Sequence, residues 1–286
     1  MKKFMILSAV WLFILGFSSC GLTDNDQPVP SYLDLRDPRV LKPGGNGYDT
    51  HKITEVWVFA DGQILGIFPL PAKVPVEVKG ADREITILAG IRNNGMIDSP
   101  VFYPFYKSIV SKVKPEEGKT IQIPLDFQYI PDAKISLNEG FETGNLFSID
   151  FDNKPETVVT VSTETAASGT KCGTVTLTSE FKTTETATSS RVKNGENARG
   201  QSYIELDYKG EGEIAVGISK VKNGLISGEY VLFVPGKEDW NKIYVDVTKV
   251  LSGTDYDEYR VILGFSKTGL SSESRMYIDN VRHIHF

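Results

Sequence analysis

Lys52-Ile53-Thr54-Glu55-Val56-Trp57-Val58-Phe59-Ala60-Asp61-Gly62-Gln63-Ile64-Leu65-Gly66-Ile67-Phe68 is the stretch on which the fold turns. β-Branched and aromatic residues crowd both sides of Asp61-Gly62, the pair favoured in two-residue type I′ turns, where both central residues take positive φ. The reading is two strands folded back on each other. Downstream, Val74-Pro75-Val76-Glu77-Val78 and Glu84-Ile85-Thr86-Ile87-Leu88 alternate with period two around the turn residues Gly80-Ala81-Asp82. Pro69, Pro71 and Pro75 cannot donate ladder hydrogen bonds, so that stretch belongs at a sheet edge. Asn93-Asn94-Gly95 marks another turn and Thr120 to Leu125 another strand. No window sustains a helical period, so residues 31–130 are expected to form an all-β sandwich.

From about Lys134 the composition shifts to Thr, Ser, Gly and acids, with strand-like runs near Thr157, Gly173, Tyr203, Glu213, Tyr230, Lys242, Tyr259 and Met276. About eight strands with long turns suit a jelly roll better than a seven-strand immunoglobulin-type sandwich. Proline at Ile130-Pro131-Asp132 marks the boundary, which makes 131–286 the second domain. The whole chain is therefore expected to be all-β, one sandwich followed by a jelly roll.

The chain begins with Lys2 and Lys3, an apolar run from Phe4 to Gly16, and Phe17-Ser18-Ser19-Cys20. That run is shorter than the roughly 20 residues a membrane-spanning helix needs. Residues 1–20 read as an export leader. Bacterial lipoprotein signals end in the same way, and the resemblance implies that Cys20 is acylated, becomes the new N-terminus and anchors the chain in the lipid bilayer of the outer membrane. Residues 21–30 are short, polar and acidic, a tether. Asp24 and Asp26 resemble the surface-export signals of Bacteroidetes lipoproteins, which points to the cell surface and leaves the periplasmic face open.

The full chain carries a formal charge of −6, and loss of Lys2 and Lys3 with the leader makes it more acidic still. Nucleic acid and anionic headgroups demand a basic face and are excluded as partners. Cys172 is the second of two cysteines, so with Cys20 acylated no disulfide framework is available, and it reads as a small buried hydrophobe.

Two further resemblances concern the domains. Ile53-Thr54-Glu55-Val56-Trp57-Val58-Phe59-Ala60-Asp61-Gly62, Gly90-Ile91-Arg92-Asn93-Asn94-Gly95 and Tyr103-Pro104-Phe105-Tyr106 resemble a domain of Bacteroidetes lipoproteins, implying an immunoglobulin-like module without a named ligand. Asn138-Glu139-Gly140-Phe141-Glu142, Asp239-Trp240-Asn241-Lys242-Ile243-Tyr244 and Met276-Tyr277-Ile278-Asp279-Asn280-Val281 resemble galactose-binding-like jelly rolls used as carbohydrate-binding modules. In such modules acids of the opening segment and the closing strand often share a structural Ca²⁺. Glu139, Glu142 and Asp279 match those positions, and Ca²⁺ takes six to eight oxygens.

Sugar binding depends on exposed aromatic faces bracketed by hydrogen-bonding groups. The second half offers Phe147, Phe151, Tyr208, Tyr230, Phe233, Trp240, Tyr256 and Tyr259. Tyr256 and Tyr259 lie in the acidic loop Asp255-Tyr256-Asp257-Glu258-Tyr259 and are singled out as ligand-binding, with Trp240 as a third candidate; the net negative charge favours a neutral saccharide. The cluster Phe102-Tyr103-Pro104-Phe105-Tyr106 is expected to pack across the seam between the halves. His283 and His285 point to one face of a strand and read as surface imidazoles at a frayed end. No Gly-x-Ser-x-Gly elbow or marked carboxylate pair is present, so catalysis is not expected. The expected function is a non-catalytic outer-membrane lipoprotein that binds glycan through its jelly roll. The alternative is an adaptor that docks on an outer-membrane protein complex and binds no sugar.

Overall fold

Glu55–Ala60 and Gln63–Pro69 pair antiparallel, and both turn residues take the positive φ of a type I′ turn, Asp61 at 49° and Gly62 at 78°. The structure, a computed structural model, describes residues 29–42, 47–194, 200–252 and 255–286. Cys20 and residues 21–28 of the tether lie outside the described residues.

Around the hairpin a sheet runs in the order Gln63–Pro69, Glu55–Ala60, Arg83–Arg92 and Pro100–Phe102, with Ile109–Val113 also on Arg83–Arg92. Smaller sheets close the first sandwich. In one, Ser31–Leu35 lies between Thr120–Gln122 and the edge strand Ala72–Val76, which carries Pro75 as its ladder chemistry requires. Leu33, Val56, Val58, Ile85, Ile87 and Phe127 are fully buried between these sheets, each contributing about 1.5–3 kcal/mol of apolar burial.

The second half is a two-sheet sandwich. Its seam sheet runs Thr160–Ser162, Cys172–Thr178, Glu273–His285, Ser202–Gly210 and Asn241–Asp246, with Lys134–Glu139 also on Glu273–His285. Its outer sheet runs Ile149–Asp150, Thr183–Ala187, Glu258–Ser266, Glu213–Lys222 and Leu225–Pro235, with Val192–Lys193 on Glu258–Ser266. The chain passes repeatedly from one sheet to the other, as a jelly roll does. Among the described residues the one helix is the four-residue Thr248–Leu251. The molecule is all-β.

The seam sheet serves two cores. Ile204, Leu206, Ile243, Val245, Met276, Ile278 and Val281 join the core of the second sandwich, whereas Tyr203, Tyr244 and Ile284 join that of the first. Alternation along a strand places neighbours on opposite faces, and here both faces are buried. That corrects the reading of the terminal histidines. His283 and His285 are 0 % and 2 % exposed in a central strand, stacked at 5.2 Å rather than frayed. The ring nitrogens of His283 face the hydroxyls of Ser136 and Ser202, and burial, reinforced by His285, pushes it down to about 3. It is neutral in the folded protein.

The seam itself joins aromatic rings to buried charges. Tyr103 packs against Tyr203 at 5.4 Å and Tyr244 at 4.9 Å, and Phe105 against Phe286 at 4.7 Å. Glu205 accepts the hydroxyl protons of Tyr103 (2.6 Å) and Tyr129 (2.9 Å), and Arg282 forms a fork to Asp49 at 2.9 and 3.1 Å. Burial, then the charge of Glu205, raises Tyr103 well above the ordinary phenol range. The turn Asn93-Asn94-Gly95 reaches across as well: the Asn94 amide donates to the Tyr244 carbonyl (3.0 Å) and its side-chain oxygen accepts from the Asp246 amide (2.9 Å).

Candidate functional site

On the exposed side of the outer sheet several polar atoms fall short of hydrogen-bond geometry. Cross-strand pairing aligns Glu185, Gly264, Ala215 and Phe233 in one row, and Ala187, Ile262, Gly217 and Tyr230 in the next. Paired residues project to the same face, so a floor of mostly small residues runs between a carboxylate and two aromatic rings. A Cβ at Gly264 would meet the Tyr230 hydroxyl at 3.0 Å and Ala215 at 3.3 Å. Glycine leaves room for the ring. The amide of Phe151 donates to the Glu185 carbonyl at 2.9 Å, which brings Asp152 and Lys154 to the same edge. The resulting cleft is about 330 Å³, walled by Asp152, Lys154, Glu185, Tyr230 and Phe233.

Its electrostatics suit a polyhydroxyl ligand. Both carboxylate oxygens of Asp152 are buried without a hydrogen bond, although Lys154 lies 3.3 Å away as an ion pair. The Tyr230 hydroxyl is likewise buried and outside hydrogen-bond geometry. Burial first, and then the charge of nearby Glu185, raises Tyr230 far above its ordinary range, so it stays a donor. Phe233 is 56 % exposed, with its ring 5.8 Å from that of Tyr230. An apolar ring face, a hydroxyl donor and carboxylate acceptors thus line one cleft. Leaving buried polar groups unpaired costs about 1–3 kcal/mol each, which a ligand's hydroxyls would recover.

The aromatic residues singled out from the sequence lie elsewhere. Tyr256 and Tyr259 are 3 % and 0 % exposed, so neither ring presents a face to a saccharide. Tyr256 donates its hydroxyl to the Leu251 carbonyl at 3.1 Å, and Tyr259 sits edge-on to His283 at 5.5 Å. The exposed acids Asp255 and Asp257 face outward, while Tyr256 between them and Tyr259 beyond half-buried Glu258 fill the core. Trp240 is half-buried, donates its indole N–H to the Thr165 hydroxyl at 3.0 Å, and does not line the cleft. Tyr230 and Phe233 stood among the aromatic residues of this half without being distinguished. Their signal is the small residues that face them on Glu213–Lys222 and Glu258–Ser266, visible only once the strands are paired.

The three acids matched to a Ca²⁺ site, Glu139, Glu142 and Asp279, each accept backbone amides of nearby loops. Glu139 accepts the amides of Phe141 and Leu146, each at 2.5 Å. Asp279 accepts those of Ala167 (2.9 Å), Ser168 (3.1 Å) and Asn280 (2.7 Å), and Glu142 those of Thr170 (2.7 Å) and Lys171 (2.9 Å). The carboxylates clamp loops. Hydrogen bonds from the Thr170 amide and hydroxyl, then from the Lys171 amide, lower Glu142 below the usual carboxyl range. Among the described residues no three His, Cys, Asp or Glu side chains gather to hold a metal ion. Cys172 is buried, and burial first pushes its thiol up to about 11.

No family model and no curated relative matches the chain. Solved structures with similar folds include a domain described as the xylan-binding domain from CBM 22, at 15% identity over 54% of this chain and 96% of that one, with a TM-score of 0.39. TmCBM61 in complex with β-1,4-galactotriose gives 14% identity over 54% and 99%, with a TM-score of 0.36. A carbohydrate-binding module from the β-sandwich superfamily gives 16% identity over 89% and 98%, with a TM-score of 0.40. Likenesses this distant assign no ligand to this chain. The architecture rests on its own strand pairings.

Proposed function

We propose that this chain is a non-catalytic glycan-binding lipoprotein: acylated Cys20 holds it in the outer membrane at the cell surface, the first sandwich is an immunoglobulin-like spacer, and the outer sheet of the jelly roll takes a saccharide. The observation that carries the sugar reading is the cleft in which the Tyr230 hydroxyl and the Asp152 carboxylate, beside Glu185 and Lys154, fall short of well-formed hydrogen bonds next to the exposed side chain of Phe233. The ring would stack on a pyranose C–H face while the polar atoms take its hydroxyls. Titration of neutral xylo- and galacto-oligosaccharides into the mature chain, followed by NMR, tests it. The expected result is shifts around Tyr230 and Phe233, with binding weakened about tenfold or more by Phe233→Ala. No response at millimolar sugar overturns it. The anchor is tested separately: Cys20→Ser is expected to leave the membrane fraction, and full retention overturns the lipoprotein reading.

A second reading, docking on an outer-membrane protein complex, is supported by the outward face of the first sandwich. Ile64, Ile67, Phe102 and Val110 are exposed there, and Trp57 lies edge-on to Phe102 at 6.1 Å. Under this reading Ile67→Lys and Val110→Lys strip a co-purifying outer-membrane protein from the detergent-extracted chain and leave saccharide titration unchanged. Co-purification that survives both substitutions counts against it.

A further inference from the structure

A second cavity, of about 500 Å³, opens where the Asn93-Asn94-Gly95 turn of the first half meets the edges of both sheets of the second. Lys52, Arg92, Lys237 and Lys242 line it, and none of its lining residues is Asp or Glu. In a chain whose formal charge is −6, this is a concentration of cations against the overall balance. Two of the four are compensated from behind. Arg92 pairs with Glu55 at 3.0 Å, and buried Lys242 lies 3.6 Å from Glu205 and 3.7 Å from Asp207. Lys52 and Lys237 have no such partner: the Lys52 ammonium donates to the neutral Asn241 side chain, and Lys237 is exposed with no carboxylate within ion-pair distance among the described residues. Burial and repulsion from Lys237 both push Lys52 below the ordinary lysine range, so two uncompensated ammonium groups face the same space. Much of the remaining wall is apolar, including Ile97, Leu232 and Ile243. Phe233 lines this cavity and the outer-sheet cleft alike, so the two adjoin at that residue.

We propose that the seam cavity binds a carboxylate-bearing sugar, a uronate unit, with the carboxylate held by Lys52 and Lys237 and the ring body against the apolar wall. Charge-assisted hydrogen bonds to ammonium are about twice as strong as neutral ones, so the anion supplies selectivity and the wall supplies shape. A glycan that crosses Phe233 would set one sugar in the cleft and the next in the seam cavity. That the ligand's body is a sugar rests on the glycan reading of the cleft; the preference for an anion does not.

The test is a titration of the mature chain with methyl glucuronide, methyl glucoside and acetate, read by NMR shifts at residues around Lys52 and Lys237. The glucuronide is expected to bind about tenfold or more tighter than the glucoside and acetate, to weaken as salt is raised, and to lose that advantage in Lys237→Gln. Lys237 is exposed, so its substitution leaves folding intact, and Lys52→Gln provides a second variant. Equal response to glucuronide and glucoside, no response to any of the three, or an unchanged preference in both variants overturns the proposal. Acetate bound as tightly as glucuronide overturns the sugar body. Glu185→Gln, in the cleft away from this cavity, keeps the two readings apart. Loss of neutral-sugar binding in that variant with glucuronide selectivity intact supports both, whereas a cleft silent to neutral sugars beside a selective seam cavity removes only the cleft reading.

Discussion

The two sheets of the second sandwich use the same residue types to opposite ends. On the seam sheet, Glu205 is fully buried and receives two tyrosine hydroxyls, and Asp207 receives the side chains of Thr50 (2.5 Å) and Asn280 (2.8 Å). On the outer sheet the polar atoms of half-buried Tyr230 and Asp152 are also shielded, but they meet only the neighbouring charges of Glu185 and Lys154, short of well-formed hydrogen-bond geometry among the described residues. Composition does not separate these faces. Satisfaction does: the seam carboxylates are paired within the chain, whereas the polar atoms of Tyr230 and Asp152 keep the hydrogen-bonding capacity that the proposed saccharide would use.

Substitutions measure that difference directly. The largest effect belongs to Arg282→Ala, which strands Asp49 in the seam and is expected to cost about 3–5 kcal/mol in urea unfolding; a loss under 1 kcal/mol would mean that the seam is wet and its charges are not committed.

The next effect is read as pH dependence on the seam sheet. His283, lowered to about 3, binds no proton in the folded state, whereas the unfolded histidine titrates near 6.5, so stability falls as pH drops from 6.5 towards 3. Asp279 is raised to about 6, chiefly by burial, so the folded state takes up its proton first and gains stability as pH falls from 6 towards 3.8. The two oppose each other near pH 5. Asp279→Asn removes the opposing gain, and its stability is expected to fall about 2 kcal/mol between pH 7 and 5, against a much flatter wild-type curve. A flat curve for Asp279→Asn would show that His283 is already solvated, and parallel curves for the two proteins would show that burial does not raise Asp279.

The smallest effects are the sharpest comparison. Tyr103→Phe removes a hydroxyl that Glu205 accepts at 2.6 Å and is expected to cost about 1.5 kcal/mol, whereas Tyr230→Phe removes one that meets Glu185 only outside well-formed hydrogen-bond geometry and should stay within about 0.5 kcal/mol while weakening sugar binding. Equal costs at the two positions would erase the distinction between the finished and the open face.

Much of the fold was legible because its signals are local. Asp61-Gly62 set the hairpin, and the prolines set an edge, through backbone chemistry that a few residues carry. The terminal histidines were misread for the opposite reason. A strand buried on both faces has no apolar alternation, so the polar spelling of Arg282-His283-Ile284-His285 looks exposed until Ser136 and Ser202 are seen beside it. Tyr256 and Tyr259 misled through their acidic neighbours, which sit on the surface while the rings turn inward. The cleft was illegible because its floor comes from Gly264, Ala215 and Gly217 on separate strands, and the seam cavity because its lysines are scattered from 52 to 242. The net charge averages such clusters away.

The strand Glu273–His285, which carries both cores, also sets an order of events. Its partner Lys134–Glu139 meets it with Lys134 opposite His285, a pairing that closes a loop of nearly the whole second half. Pairings so distant along the chain form late and slowly, because the loop entropy is spent before the contacts repay it. Until then the seam sheet lacks its centre, and the first sandwich has nothing on which to lay Tyr103, Tyr106 and Phe105. A chain emerging in sequence order therefore passes through a stage in which a folded first half carries a bare aromatic surface, the stage at which a holding chaperone has most to protect.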